Sequence, residues 1–485
     1  MSDAIAGLKP EPVWRYFAEI SQIPRCSKSE KQISNYVMDV AKGLGLEAKQ
    51  DSALNVVVRK PASAGREDTP SVCLQGHLDM VCEKNKGVEH DFEKDPIRIV
   101  RQDNFLMADG TTLGADNGIA VATNLAIMED RSLEHGPLEF LFTVDEETGL
   151  TGAGFLMPGF VESRILLNLD SEEEGEIFVG CAGGRDTSGT WKVNFVRAPG
   201  GSVPMRLKVQ GLIGGHSGLE IDKGRGNSIK MLARALYELH EIGARLAHIE
   251  GGSKRNAIPR EAEALVFVPK QKARKAQAIA KKFDQTISAE LASVEPGLSI
   301  TLRRENGDVE RQVMKKDQQE AIIKALVALP HGVTKMSADI PGLVETSTNV
   351  AVIGTAKSKV VLETSQRSSV DSEIEEIVQT VATILELSGA KVVQDSGYPG
   401  WKPNLDSPIL KIAKLTYRQL YGKGPGVQAV HAGLECGIIG EKYSGMDMIS
   451  FGPTLEGVHS PDEKMHIDTV QKFWDYLLAV LKNVH

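Results

Sequence analysis

The sequence predicts an α/β fold: one domain with a mixed sheet and helices on both faces, interrupted by a two-lobed α+β insert. Three observations predict it. Short apolar runs alternate with helical stretches over the first third of the chain, the pattern of strands covered by helices. From about Gly189 the order becomes strand, helix, strand, helix, and a similar order recurs after Gln318. Beyond the turn-rich Gly397-Tyr398-Pro399-Gly400-Trp401-Lys402-Pro403 the first texture returns. The expected boundaries are 1–186 with 400–485 for the first domain and 187–399 for the insert.

Taken in order, Ser27-Lys28-Ser29-Glu30 reads as a capping box that opens a helix towards Gly43. Strands are expected at 54–58, 72–74, 138–144 and 165–169, with a helix over 117–128. In the insert, 205–209 and 262–268 read as strands, and 227–242 and 271–292 as helices. The second sub-lobe follows with a helix over 318–329, strands at 346–354 and 359–364, and a helix over 371–387. The repeat is one of pattern and not of residues. After the insert, Ser407-Pro408 starts a helix that ends near Gly422. Strands follow at 427–430 and 446–449, and apolar residues at helical spacing mark a closing helix over 470–481.

At 485 residues the chain is too long for one ordinary core. Its 41% hydrophobic and 25% charged content is that of a soluble globular protein. No apolar run approaches the ~18 residues that span a bilayer. The net charge is -9 and no long basic run is present, which argues against nucleic acid as a partner. The five cysteines, Cys26, Cys73, Cys82, Cys181 and Cys436, are odd in number and irregularly spaced. Neither a disulfide framework nor a thiolate zinc knuckle is expected from them, and a reducing cytoplasm is the simplest compartment. The first dozen residues lack the basic and apolar regions of a signal peptide.

Five segments carry chemistry. Gln75-Gly76-His77-Leu78-Asp79-Met80 follows a buried-strand pattern. His77 and Asp79, two apart in extended chain, point to one side. Asp79 therefore suits the carboxylate that takes the second ring N–H of a ligand histidine; a surface turn is the plain alternative. Leu113-Gly114-Ala115-Asp116-Asn117-Gly118 sets an aspartate between glycines before a helix. It reads either as a carboxylate that bridges two cations or as a helix N-cap. Thr143-Val144-Asp145-Glu146-Glu147-Thr148-Gly149 puts three acids after an apolar strand. Like charges so close repel unless cations or protons offset them. One carboxylate then suits a metal and its neighbour proton transfer; a solvated acidic loop is the alternative. Asp170 ends the strand-like Leu167-Asn168-Leu169, and His459 lies in Gly457-Val458-His459-Ser460-Pro461. Of eleven histidines, only His77, His216, His431 and His459 sit in contexts that point to chemistry. Nitrogen and oxygen donors without cysteine suit zinc, with cobalt or manganese as substitutes.

In their order, these segments resemble the di-zinc metallopeptidase family that includes carnosinases, glutamate carboxypeptidase and acetylornithine deacetylase. Within it the likeness is to the aminoacyl-histidine dipeptidase branch. It is carried by the Ser-x-x-Glu opening after Ile23-Pro24-Arg25, by the Gln75 to Met80 and Asp145 to Gly149 segments, by His431-Ala432-Gly433-Leu434-Glu435-Cys436-Gly437, and by Gly457 to Glu463. The resemblance implies a catalytic α/β domain and a lid. It implies two zinc ions per chain, one on His77 and Asp170, the other on Glu147 and His459, with Asp116 bridging them and a cis peptide after it. Glu146 becomes the expected general base and Asp79 the orienting carboxylate.

Gly214-Gly215-His216-Ser217-Gly218 resembles the family's lid histidine motif, so His216 is the expected oxyanion donor. Asn256, in Asn256-Ala257-Ile258-Pro259, matches a lid asparagine that contacts substrate. Arg367 sits where relatives place an arginine for the substrate's terminal carboxylate, a job that suits a guanidinium; a solvated strand-end charge is the alternative. Glu435 is a candidate for the substrate's amino group. The implied activity is cytoplasmic hydrolysis of dipeptides, Xaa-His and β-Ala-His above all, with no nucleic-acid or membrane partner and a homodimer as an option. In short-lid relatives the lid histidine comes from a partner subunit. The doubled insert here is expected to let His216 act within its own chain. The same metal set also serves deacylases of N-acyl amino acids, and a non-catalytic metal-binding relative would retain it.

Overall fold

The computed structural model describes residues 3–307 and 309–485. The chain forms two compact units. The first holds the N-terminal segment to Cys181, Trp401–Ala429 and Leu434–His485; the second holds Ala182–Gly400 and Val430–Gly433. The chain thus divides at 181/182 and 400/401 rather than at 186/187 and 399/400. The segment Val430–Gly433, with His431, sides with the second unit. Nothing in the local sequence of 427–430 signals that change of unit.

The first unit is built on an eight-stranded mixed sheet. Its order is Glu47–Gln50, Val56–Lys60, Leu138–Thr143, Val72–His77, Ile165–Asn168, Asp447–Ser450, Glu176–Cys181 and Gly426–Val430. The four central strands, from Leu138–Thr143 to Asp447–Ser450, run parallel. Every residue of Val72–His77 and Leu138–Thr143 is buried, because both faces of a parallel sheet are covered. That is why these strands read as largely apolar runs with no regular alternation. Helices Glu11–Ile20, Lys31–Gly43 and Ala115–Glu129 pack as one group, and Pro408–Tyr421 with Ile467–Asn483 as another. Parallel strands end side by side, so the four central strands present their carboxyl ends along one edge, where α/β sheets place ligands.

Two sequence expectations are corrected in this unit. The capping box does not form: the helix starts at Lys31 without a side-chain cap. Ser27 Oγ donates instead to Asp79 at 2.8 Å, and Glu30 Oε1 accepts from the backbone N–H groups of Lys28 and Asp145 at 2.8 and 2.9 Å. Polar residues that imitate a cap are taken up by the acidic loop. Second, Cys26 and Cys82 form a disulfide, with Cα atoms 5.7 Å apart across a sequence separation of 56. Spacing could not reveal it, because a parallel bridge between Cys26 and Met80 brings the two segments together only in the fold. Cys73, Cys181 and Cys436 are free and buried. A small four-stranded sheet, Leu455–Glu456, Lys464–His466, Phe105–Ala108 and Ile99–Gln102, also escaped the sequence reading. Its strands are too short to show a period.

The second unit carries one nine-stranded antiparallel sheet. Ser299–Arg304, Ser202–Gln210, Ala262–Pro269 and Arg245–Gly251 form one half. Val344–Ala356, Lys359–Ser368, Gly183–Lys192 and Lys391–Gln394 form the other, with Gly332–Met336 beside Val344–Ala356. The halves join where Glu250 and Gly251 pair with Gly354 and Ile353. Helices Ser228–Glu241, Ala273–Glu290, Lys316–Ala328 and Asp371–Leu387 supply Leu232, Leu236, Ala280, Ile322, Leu326 and Leu385 to a shared core. The two sub-lobes are therefore two halves of one sheet.

Candidate metal centre

His77 closes the strand Val72–His77, and Asp170 follows the end of Ile165–Asn168. Glu146 and Glu147 lie just beyond Leu138–Thr143. Asp116 lies at the entry to the helix Ala115–Glu129. Gly114 enters it in a left-handed conformation, φ 69°, and Asp116 and Asn117 are not helical, with ψ 109° and 29°. The Asp116–Asn117 peptide is cis. Asn117 then ties two strand ends to this turn: its Oδ1 accepts from His77 N at 3.2 Å, and its Nδ2 donates to Leu169 O at 2.9 Å.

The five expected ligand residues come together. His77 Nε2 lies 3.1 Å from Asp116 Oδ1 and 3.5 Å from Asp170 Oδ1. His459 Nε2 lies 3.1 Å from Asp116 Oδ2 and 2.9 Å from Glu147 Oε2. One ligand atom from each of His77, Asp116 and Asp170 falls within 4.8 Å of the others, and so do those of Asp116, Glu147 and His459. His77, Glu146 and Glu147 make a further such group. Glu30, Asp79 and Asp145 also cluster, but protein donors fill that cluster. Asp79 accepts from Glu146 N and Glu147 N at 3.1 and 3.2 Å, and Asp145 Oδ1 accepts from Thr148 Oγ1 at 2.6 Å. It is a brace for the acidic loop. Asp79 Oδ1 also lies 3.3 Å from His77 Nδ1.

The electrostatics ask for positive charge at the centre. Burial pushes the Asp116 carboxyl up, but the rings of His459 and His77 outweigh it and hold Asp116 well below the usual carboxylate range. His459, bonded to Asp116 and Glu147, is pushed up to about 11. Burial opposes a charge on His77, yet Asp170, Asp116 and Asp79 raise it well above the usual imidazole range. Burial raises Glu147, Asp170 and, most strongly, Glu146, to which Asp170, Glu435 and Glu147 add repulsion. Glu147 Oε1 is buried without a protein partner. Two imidazoles and two carboxylates around a shared aspartate, with one oxygen unpartnered, fit a pair of divalent cations with nitrogen and oxygen ligands.

Polar residues inside the apolar strands back the site. Gln75 Nε2 and Thr143 Oγ1 donate to Glu435 Oε2 at 2.6 and 2.5 Å. Asn168 Nδ2 donates to Gln75 Oε1 at 2.5 Å, and Ser450 Oγ donates to Asn168 Oδ1. Ser171 and Ser450 hydroxyls lie 2.6 Å apart; since that of Ser450 is committed to Asn168, Ser171 is the donor. The line runs across neighbouring strands and points one way, towards Glu435. Glu435 is fully buried, its Oε1 has no partner, and burial pushes it up to about 8. The sequence assigns no role to Gln75, Thr143, Asn168 or Ser450, although a polar residue in an otherwise apolar strand is itself a signal.

In the second unit, His216 and Asn256 are neighbours. His216 pairs with Ala257 in a short antiparallel ladder, and Asn256 O accepts from Ser217 N at 2.8 Å. The backbone N–H groups of Gly218 and Leu219 both donate to His216 Nδ1, at 3.2 and 3.1 Å. Nδ1 is thus the acceptor, and the proton of the neutral ring sits on Nε2. Asn349 Nδ2 holds the Asn256 loop through Arg255 O and Ala257 O, at 3.2 and 2.8 Å; Asn256 itself is exposed. Arg367 is buried. Its Nη1 donates to Tyr398 Oη at 2.9 Å, its Nε has no partner, and among the described residues no carboxylate pairs with it. The solvated-charge alternative for Arg367 does not hold. His431 lies nearby with Nε2 2.7 Å from Ser347 Oγ; burial, then Arg367, hold it down at about 3.

Comparison with known proteins agrees with this architecture. The model of Peptidase family M20/M25/M40 matches residues 73–483. The chain is 41% identical over 481 residues, 99% of each chain, to the cytosol non-specific dipeptidase of Escherichia coli (strain K12). It superposes on the crystal structure of aminoacylhistidine dipeptidase from Vibrio alginolyticus with a TM-score of 0.91 at 42% identity, covering 99% of this chain and 98% of that one. A tripeptidase from Staphylococcus aureus shares the fold at a TM-score of 0.58 and 18% identity, over 98% and 99% of the chains. The chain belongs to Peptidase family M20/M25/M40 and is a metallopeptidase.

Proposed function

We propose that this protein hydrolyses dipeptides, Xaa-His and β-Ala-His among them, with two zinc ions held by His77, Asp116, Glu147, Asp170 and His459. One observation carries the reading: Asp116 turns one oxygen to His77 and the other to His459, each at 3.1 Å. A carboxylate shared in this way suits two cations, the first completed by His77 and Asp170, the second by Glu147 and His459. Zinc bound there supplies Lewis acidity to the scissile carbonyl and to the attacking water.

The protein's own groups do the rest. Glu146 in its ionised form takes a proton from the attacking water and hands it to the leaving amine; burial and the neighbouring acids favour the protonated form that it holds between the two transfers. Asp79 fixes the ring of His77 and the backbone of Glu146 and Glu147. His216, with its proton on Nε2, donates to the developing oxyanion. Arg367 takes the substrate's carboxylate through the edge that includes Nε, Asn256 contacts the substrate backbone, and Glu435 answers its amino group through Oε1. The buried line behind Gln75 supports Glu435 in that task. We assign the protein to the cytoplasm, in keeping with the name of the Escherichia coli relative. Among the described residues no helix is long and apolar enough to cross a membrane.

The test is a substrate panel with zinc-reconstituted protein: Xaa-His, β-Ala-His, other dipeptides, tripeptides and N-acetyl amino acids. Dipeptides are expected to dominate. Equal rates on tripeptides would sink the dipeptidase assignment, and a preference for N-acetyl amino acids would make the protein a deacylase.

A further inference from the structure

The turn that carries Asp116 is gripped from two sides by charged residues outside the ligand set. On one side, the Glu463 carboxylate accepts four consecutive backbone N–H groups. Oε2 takes Leu113 and Gly114 at 2.7 and 2.9 Å, and Oε1 takes Ala115 and Asp116 at 2.7 and 3.3 Å. On the other side, Arg25 takes carbonyls. Its Nη1 donates to Leu78 O and Asp79 O, both at 3.0 Å, and its Nη2 donates to Gly114 O. Both side chains are 2% exposed.

The local sequence is shaped around this grip. A Cβ at Gly114 would come within 2.5 Å of Arg25 Nη2 and 2.7 Å of Met80 Sδ, and one at Gly118 within 2.6 Å of Arg25 Nη2. The glycines on both sides of Asp116 therefore leave room for a guanidinium. Gly114 also needs its positive φ of 69°. Glu463 lies four residues after His459, so its bonds tie the His459 loop to the Asp116 turn. Arg25 ties that turn to the segment carrying Asp79. The three segments meet through two buried charges that solvate backbone, and Glu463 is the carboxylate that most favours the Arg25 charge.

Burying two charges is costly, and well-packed apolar residues could hold a turn as firmly. What apolar packing cannot do is fix the direction of a peptide turn to within a hydrogen bond. We propose that Arg25 and Glu463 are paired positioning residues, which clamp the Asp116 turn from its carbonyl and N–H sides and so set the carboxylate of Asp116 between His77 and His459. The inference rests on the two-zinc reading above.

The test uses the full chain with Glu463→Gln, Glu463→Asp and Arg25→Lys. Gln turns an N–H₂ against backbone N–H donors, Asp keeps the charge on a shorter arm, and Lys keeps the charge without the fork. Zinc stoichiometry and affinity are read by competition with a chromophoric chelator. Melting temperature is read on the metal-free protein, and kcat and KM at saturating zinc. The expected result for Glu463→Gln and Arg25→Lys is zinc binding weakened about ten- to hundredfold, the usual effect of losing an outer partner of a metal site. At saturating zinc, kcat falls at least about tenfold with KM within about twofold, and Glu463→Asp lies between Gln and wild type. Folded variants with wild-type zinc affinity and kcat, whatever their melting temperature, overturn the inference. So does failure of all three to fold, which would make the pair purely structural. A wild type that takes up fewer than two zinc equivalents overturns the two-zinc reading, and the inference with it. Two equivalents in the wild type, with variants that match it, overturn the inference alone.

Discussion

Replacing Asp79 by asparagine removes one charge and one acceptor at a point where four donors converge. Oδ1 faces His77 Nδ1 at 3.3 Å and Glu146 N at 3.1 Å; Oδ2 faces Ser27 Oγ at 2.8 Å and Glu147 N at 3.2 Å. Asparagine must give up one of the two positions to its N–H₂ group. Giving up the Oδ1 position would orphan Glu146 N and turn an N–H₂ group towards His77 Nδ1, 3.3 Å away. Giving up Oδ2 orphans only Glu147 N, because the Ser27 hydroxyl can turn and accept. The variant should take the second course. The cost in stability is then one buried unsatisfied N–H, about 1–3 kcal/mol. The loss of charge opposite His77 should also weaken zinc binding about 10- to 100-fold. The assay is chelator competition on refolded Asp79→Asn, beside urea unfolding of the metal-free protein. A stability loss without any change in zinc affinity would refute the reasoning and leave Asp79 as a brace for the acidic loop alone.

Three further outcomes are expected. Arg367→Ala should lower kcat/KM for a dipeptide by about 10²–10⁴, the value of two charge-assisted hydrogen bonds at about 1.5–3 kcal/mol each. The same dipeptide with an amidated C-terminus should lose a similar factor on the wild type and little more on the variant; equal losses from the amide on both proteins would exclude a direct pairing. His331, beside Asn227 Nδ2 at 3.3 Å, is depressed by burial from 6.5 to about 4. Between those values the unfolded chain binds the extra proton. Stability from this residue is complete above about pH 6.5 and declines as pH falls to about 4, by about 3 kcal/mol at most. His331→Gln should flatten that part of an acid-unfolding profile, and an unchanged slope would count against it. Thiol alkylation of the unreduced protein in denaturant should label three cysteines, and five after reduction. Breaking the Cys26–Cys82 link should cost up to about 4 kcal/mol by loop closure, and five labels without reductant would refute the pairing.

Much of the site was legible because three of its five ligands stand at or just beyond the end of an apolar run. Strand ends are where a sheet changes from a pattern of burial to one of chemistry, so His77, Glu147 and Asp170 follow recognisable strands. Elements failed where the signal was short or shared. The strands Leu455–Glu456 and Lys464–His466 are too brief to show alternation. Ser27 and Glu30 have the composition of a cap yet bond to Asp79 and Asp145, because a cap and a loop brace need the same short polar side chains. Arg25 and Glu463 lie within motifs whose sequence assigns them no task. Each acts on backbone atoms, and backbone recognition leaves no partner residue in the sequence. The trace they do leave is negative: glycine at 114 and 118.

The one-way line from Ser171 through Ser450, Asn168 and Gln75 to Glu435 has a consequence for how this protein can change over generations. The inner members, Ser450, Asn168 and Gln75, each give and receive, and the order is set at Glu435 Oε2, which receives from Gln75 and Thr143. Replacing an inner member by an apolar residue strands its two neighbours, and replacing Glu435 by an apolar residue strands the Gln75 and Thr143 donors. Most single steps away from this sequence are therefore losses, even where the fully apolar or fully reversed line would be sound. The five positions should pass between lineages as one inherited block, and swapping them singly between relatives should fail where swapping them together succeeds.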